Sequence, residues 1–326
     1  MKRVLSGIQP TGDLHLGNYF GMMSRMIKYQ EENDLFCFIV NYHALTTIQD
    51  KKLLAENTLN AAIDFMALGL DPDRSTFWIQ SDVPQVCEST WLLSNIVNVG
   101  ALDRATSYKD KLAKGITANV GLYSYPILMA SDILLFGGEI VPVGNDQKQH
   151  IEITRDIAIR FNQTYEDVFI VPEPDIEKTN QLVPGIDGQK MSKSYGNTIP
   201  IFGDEKSIRK KFMSIVTDST DIEKPKSIDT ALYELYALFL NDNEKKELAN
   251  RFKTPGMRYG DIKQELYDCF WAQFSPYREK RAYLEKHKDY VIEKLNNGSQ
   301  KASVIADSFL KKARIAMGLN YGDNNV

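Results

Sequence analysis

Apolar residues in this chain alternate between two spacings up to about residue 200 and keep to one spacing after it. Val4 and Leu5 form a short apolar run that reads as a strand, and from Tyr19 the spacing of Met22, Met23, Met26 and Ile27 predicts a helix. Residues 35–40 are continuously apolar, with β-branched members, and read as a strand buried in a parallel sheet. A helix is predicted over 53–70, stopped at Gly69, Asp71 and Pro72, and a short strand over 76–80. Residues 88–101 have helical spacing, with Trp91, Leu92, Ile96 and Val99 on the apolar side. The polar stretch 103–119, with Lys109, Lys111 and Lys114, reads as a connection or an insertion. A helix over 121–136, a strand over 140–143, a helix from Gly144 to about Asn162 and a strand over 168–171 continue the alternation. Strand and helix in turn predict a doubly wound α/β parallel sheet. From about 205 onward only helical spacing remains, over 206–217, 228–240, 259–285 and 300–317.

Composition narrows the class. At 326 residues, 43% hydrophobic and 25% charged, the chain reads as soluble and globular. Lys plus Arg number 39 against 43 Asp plus Glu, a net charge of −4, which does not suggest a protein that coats nucleic acid but allows a local basic face. Cys37, Cys87 and Cys269 lie far apart without zinc or disulfide spacing, as expected in a reducing cytoplasm. No apolar run approaches the roughly 18 residues of a membrane span, so no membrane partner is expected. Met1 to Leu5 give way too soon to Gly and Pro for a signal peptide.

Two stretches carry chemistry. Ser6 to Asn18 is rich in Gly, Pro and Thr and lies between the first strand and the first helix. Such a junction presents unpaired backbone N–H groups and the positive end of a helix dipole, which suit a phosphate. His15 and Asn18 fall where that phosphate would lie. Far downstream, Lys190, Met191, Ser192, Lys193 and Ser194 follow Gly185 and Gly188 and precede Gly196. Two lysines three apart among hydroxyls and glycines can close over a polyphosphate and stabilise the charge of a phosphoryl transition state. Tyr125, Met129 and Asp132 form one stripe of a helix otherwise poor in polar groups. A buried carboxylate there needs a partner, either an internal Lys or Arg or a donor on a ligand.

His15, Leu16, Gly17 and Asn18, taken with Lys190 to Ser194, resemble the paired motifs of the class I aminoacyl-tRNA synthetases. The first motif ends in His more often than in Asn, and Asn18 fits the tryptophan branch. Gly7 to Gly12, Met129 to Leu134 and Val143 to Gln147 are similar to that bacterial-type tryptophanyl-tRNA synthetase branch. The likeness runs from about residue 3 to 197 and continues more weakly through the helices.

The resemblance implies a Rossmann-like catalytic domain over 1–200, with a helical insertion at about 84–120, and an α-helical tRNA- and anticodon-binding domain over 201–326. It implies ATP-dependent attachment of L-tryptophan to tRNA(Trp) through an adenylate, with AMP and diphosphate as products and no covalent protein nucleophile. His15, Asn18, Lys190 and Lys193 would be catalytic. Gln9, Pro10, Thr11, Gly17, Asn18, Gly144, Asn145, Asp146, Val183, Lys190, Met191, Ser192, Lys193 and Ser194 would bind ATP, with Mg²⁺ on the phosphates and no metal held by the protein itself. Asp132, Met129, Tyr125, His43, Gln147 and Gly7 would bind tryptophan, Asp132 taking the indole N–H. A symmetric homodimer is implied, and the length leaves no room for an editing domain. Arg209, Lys210 and Lys211, then Arg278, Lys280 and Arg281, then Lys311, Lys312 and Arg314 are basic clusters open to tRNA. The alternatives are a tyrosyl-tRNA synthetase, against which Met129 argues, a small-molecule adenylyltransferase, which would lack the helical domain, and a non-catalytic paralogue, in which the lysine stretch would tend to be lost.

Overall fold

The computed structural model describes residues 1–10, 12–104, 119–144, 147–176 and 183–321. They fall into two compact units that interleave in sequence. Unit 1 is 1–12, 26–178 and 284–326, and unit 2 is 13–25 and 179–283.

Unit 1 is built on five parallel strands: β1 (Arg3–Ile8), β2 (Asp34–Ile39), β3 (Thr76–Ile79), β4 (Ile140–Val143) and β5 (Glu173–Ile176). Their order is β3-β2-β1-β4-β5, so the winding reverses beside β1, where such sheets bind ligands at their carboxyl edge. The helices are α1 (Ser24–Glu32), α2 (Asn41–Ala44), α3 (Lys51–Ala67), α4 (Gln85–Ser94), α5 (Val99–Asp103), α6 (Val120–Leu134) and α7 (Lys148–Thr164). Local chemistry sets their starts. The Asp50 carboxylate accepts from the N–H groups of Lys52 and Leu53, and the Asn119 side chain accepts from Leu122 N–H. The rings of Phe38 and Trp78 stack at 4.8 Å in the core, with Phe136 4.9 Å from Trp78.

Two expectations need correction. The last strand is Glu173–Ile176, not 168–171. Asn162 Oδ1 accepts from the N–H groups of Val168 and Phe169, and its Nδ2 donates to Phe169 O, so this backbone is bound before any ladder can take it. The residues that do pair with β4 include Pro174, tolerated because β5 is an edge. The helix predicted over 88–101 is two helices. Trp91, within the first of them, is 70% exposed and Val99, beyond the break after Ser94, is 64% exposed, while Leu92 and Ile96 are buried as expected.

Unit 2 holds α8 (Glu205–Met213), α9 (Ala231–Ala237), α10 (Asp242–Lys253) and α11 (Tyr259–Lys286). The α10 helix was not expected from apolar spacing. It starts at a capping box, in which Asn241 accepts from Glu244 N–H and Glu244 from Asn241 N–H. The segment 13–25 packs here through its aromatics. The Tyr19 ring lies 5.0 Å from Phe274, and Phe20 lies 5.2 Å from Phe239.

The helix α12 (Lys288–Ala316) returns to unit 1 and begins a full three turns before the predicted 300. It crosses β3 closely, since a Cβ on Gly298 would lie 1.8 Å from Phe77 O. Ala302 and Ala306 continue the small face, fully buried. No helix among the described residues is long and apolar enough to cross a membrane.

Candidate active site

The carboxyl edge of the unit 1 sheet gathers one polar cluster from three elements. The β1 and β2 strands pair in register from Arg3 with Asp34 to Ile8 with Ile39, so the residues after each leave the sheet together. His43 then sits on α2, Gln80 follows β3, and Asp132 comes from α6. His43 Nε2 lies 2.9 Å from Asp132 Oδ2, and Gln80 Nε2 lies 2.8 Å from both carboxylate oxygens. Asp132 is 2% exposed. Burial pushes its carboxyl above the usual range, and the bonds from His43 and Gln80 act against that shift. Neither Lys nor Arg pairs with Asp132 among the described residues, so its partners in the protein are an imidazole and a neutral amide.

Tyr125, one stripe back on α6, extends the cluster. Its hydroxyl is 2.5 Å from His150 Nε2, and its ring meets His43 edge-on at 6.2 Å. Met129 packs partly buried against the apolar core. Gly7 lies in β1, where a Cβ would meet Val40 Cγ1 at 2.8 Å. Gln9 and Pro10 follow β1, Gly144 follows β4, and Gln147 precedes α7. Thr11, Asn145 and Asp146 lie outside the described residues.

Unit 2 brings together the two signature motifs, 172 or more residues apart in sequence. Leu16 N–H donates to Ile199 O at 3.0 Å, His15 bridges Pro200, and Gly17 N–H points at Met191 Sδ at 3.2 Å. Asn18 Oδ1 accepts from His15 N–H at 3.1 Å, which closes the turn Leu16–Asn18. Gly17 is tightly enclosed, because a Cβ would fall 3.0 Å from His15 Nδ1 and 3.3 Å from Met191 Cβ, so these neighbours would have to give. His15 is buried, and its Nδ1 has no hydrogen-bond partner among the described residues. Burial, and behind it the Lys193 ammonium, pushes its imidazole down to about 4. At neutral pH the ring is therefore uncharged, with one nitrogen that donates and one that accepts.

The lysine loop is shaped by a buried asparagine. Asn197 Oδ1 accepts from Ser192 N–H at 2.8 Å, and its Nδ2 donates to Asp187 Oδ1 at 2.8 Å and to Lys190 O at 3.1 Å. Gly185 makes space for that side chain, since a Cβ there would sit 2.3 Å from Asn197 Nδ2. Gly188 and Gly196 take positive φ of 85° and 66°, which glycine adopts without strain. Met191 and Val183 point inward, while the side chains of Lys190, Lys193 and Ser194 are exposed.

Gln80 and Asn197 are the polar residues of these sites that sequence reading missed. Each carried a faint signal: Gln80 ends an apolar strand, and Asn197 follows a lysine motif by three residues.

Comparison with known proteins agrees with this fold. Residues 1–275 match the family described as tRNA synthetases class I (W and Y). A tryptophan–tRNA ligase of Fusobacterium nucleatum is 52% identical over 320 residues, 98% of each chain. The crystal structure of the Campylobacter jejuni tryptophanyl-tRNA synthetase complexed with ADP and tryptophan superposes with a TM-score of 0.92 at 47% identity, covering 97% of this chain and 99% of that one. That of Mycoplasma pneumoniae gives a TM-score of 0.83 at 30% identity, covering both chains in full. With the motifs, the parallel sheet and these relatives in agreement, the chain belongs to the class I tRNA synthetases of the W and Y family.

Proposed function

We infer that this chain is a tryptophan–tRNA ligase, which activates L-tryptophan with ATP and transfers it to tRNA(Trp). The observation that carries the inference is Asp132. It is a buried carboxylate at the carboxyl edge of a parallel sheet, held by uncharged or weakly basic donors rather than neutralised by Lys or Arg. The indole N–H is donor-only, so a carboxylate acceptor beside an apolar wall suits it, and smaller amino acids lose the wall. The complex of the Campylobacter jejuni relative with ADP and tryptophan supports the same pair of ligands here.

A tryptophan carboxylate oxygen attacks the α-phosphorus of ATP, the bond to the β-phosphate oxygen breaks, and diphosphate leaves. The 2′-hydroxyl of the terminal tRNA adenosine then attacks the carbonyl carbon of the adenylate, and AMP leaves. Within unit 1, Asp132 accepts the indole N–H, Met129 flanks the ring, and Tyr125, Gln147, His43 and Gly7 hold the rest of the amino acid. Gln9, Pro10, Thr11, Gly144, Asn145 and Asp146 serve the nucleotide. Within unit 2, His15, Gly17, Asn18, Val183 and the loop from Lys190 to Ser194 serve the nucleotide, the ammonium groups stabilising charge on the phosphates. Magnesium arrives with those phosphates as part of the substrate.

The region from 201 onward contacts tRNA. Arg209 is bonded to Gln264, Lys211 donates to Gly196 O, and Arg278 stacks 3.6 Å over Trp271, so Lys210 and Lys280 are the charges of those two clusters nearer to hand. A homodimer in the cytoplasm completes the picture. Its support is the exposure of Trp91, Val99 and Val120 on neighbouring helices of unit 1, an apolar surface that a second copy would cover. Trp91→Glu would lower the mass seen by light scattering.

Pyrophosphate exchange with each amino acid in turn tests the function. Tryptophan alone should support exchange. Exchange with tyrosine would move the chain to the tyrosyl branch, and none at all would favour a non-catalytic paralogue.

A further inference from the structure

Gln80 is fully buried in the turn after β3, and its amide can point only one way. Its Oε1 accepts from Tyr42 N–H at 3.0 Å, so its Nε2 must face Asp132. The turn itself is pinned by a reciprocal pair. Asn41 Nδ2 donates to Ser81 Oγ at 2.8 Å, and Ser81 N–H donates to Asn41 Oδ1 at 3.1 Å. One short helix, α2, therefore supplies both the N–H that orients Gln80 and the His43 that meets Asp132. The contacts on the carboxylate are unequal. Oδ2 receives His43 and Gln80, whereas Oδ1 receives Gln80 alone. Each carboxylate oxygen has about two lone-pair sites, so Oδ1 is the less saturated atom.

The chemistry of the donor matters as much as its place. A guanidinium or ammonium partner would cancel the carboxylate charge. An amide fixes the group and leaves its charge for a neutral N–H, and a hydrogen bond to a charged acceptor is about twice as strong as a neutral one.

We propose that Gln80 is the positioning residue that sets Asp132 for the indole N–H, so that tryptophan is selected by that N–H and not by ring size alone. The proposal rests on the assignment of Asp132 to the indole given above. Its test compares tryptophan with 3-(benzothiophen-3-yl)alanine, which has the same shape and carries sulfur in place of N–H. Pyrophosphate exchange is measured for both with the full-length protein and with Gln80→Met. The variant should lose about tenfold or more in kcat/KM for tryptophan, mainly in KM, the scale of a charged hydrogen bond. The benzothiophene analogue should change by less than about threefold, and the KM for ATP should hold, because neither uses the N–H bond. The preference for tryptophan therefore narrows. Equal losses for both amino acids, or no loss, would overturn the proposal, the first being what a merely structural role predicts.

Gln80→Leu is close in side-chain volume and removes the same donor, and it should narrow the preference in the same direction if Gln80→Met lowers the thermal midpoint. A wild-type protein with no preference for tryptophan over the analogue would sink the Asp132 assignment and this proposal with it. An intact wild-type preference that survives both variants sinks the Gln80 proposal alone.

Discussion

The polar groups around Asp132 and those of the lysine loop are built in opposite ways. In unit 1 the carboxylate, Gln80 and His43 are bonded side chain to side chain, and Asp132 is nearly sealed from water. In unit 2 the backbone is bound, through Asn197, while the two ammonium groups project outward. A site that must recognise one neutral N–H gains from a rigid acceptor, because the partner's geometry does not change. A site that must follow charge as it moves across phosphates gains from a fixed backbone carrying long, adjustable side chains.

Four measurements would break or sharpen that contrast. The largest effect is expected at Lys193→Ala, which should slow adenylate formation by about 10²- to 10³-fold, the scale of removing one charge-stabilising donor. Tryptophan binding, measured by equilibrium dialysis, should be nearly unchanged. A collapse of binding would make the lysine structural. Asp132→Ala should lower kcat/KM for tryptophan by roughly 10- to 100-fold, the loss of about 1.5–3 kcal/mol. Unchanged kinetics would remove the carboxylate from the pocket. Asn197→Ala removes three bonds at the loop and should raise the KM for ATP by roughly tenfold, if each bond is worth about 0.5–1.5 kcal/mol and part is recovered by water. Tryptophan affinity should not move; if it does, the loop is not an independent device.

The last effect is on stability, and the two sites give it opposite signs. His15 is pushed down to about 4 from 6.5. As pH falls through that window the unfolded chain takes up the proton and the native chain does not. Stability then drops by at most about 1.4 kcal/mol per pH unit from this group. Asp132 is pushed up, so just above the ordinary carboxylate range its native form keeps a proton that the unfolded chain has released, and its contribution falls as pH rises through that window, above which the group is charged in both states. Urea unfolding at stepped pH should show a shallower slope between 4 and 6.5 for His15→Asn than for the natural chain. Equal slopes would mean that His15 is not buried in solution.

Much of this was legible from spacing alone, and the exceptions have physical causes. The 140–143 strand was read to the residue because an apolar run flanked by Gly and a turn has few alternatives. The 168–171 run was equally apolar, yet a single asparagine six residues upstream captured its backbone. Val99 was assigned inward because helical phase was carried through a break that no Gly or Pro marks. The α10 helix was hidden by its polarity, since Leu248 and Phe252 are its only buried residues. Asp132, His15 and the lysines stood out by type and motif. Gln80 did not, because a glutamine after a strand means nothing until the register of β2 and β3 sets Tyr42 N–H beside it.

The approach of Gly298 to Phe77 O has a consequence for synthesis. The open edge of β3 is covered by a helix made long after the strand, as the Asp73–Lys294 pair, 221 residues apart, makes plain. A growing chain on the ribosome therefore carries an uncovered sheet edge for most of its elongation. Exposed edges of this kind invite pairing with other chains, a liability that ends when α12 covers β3.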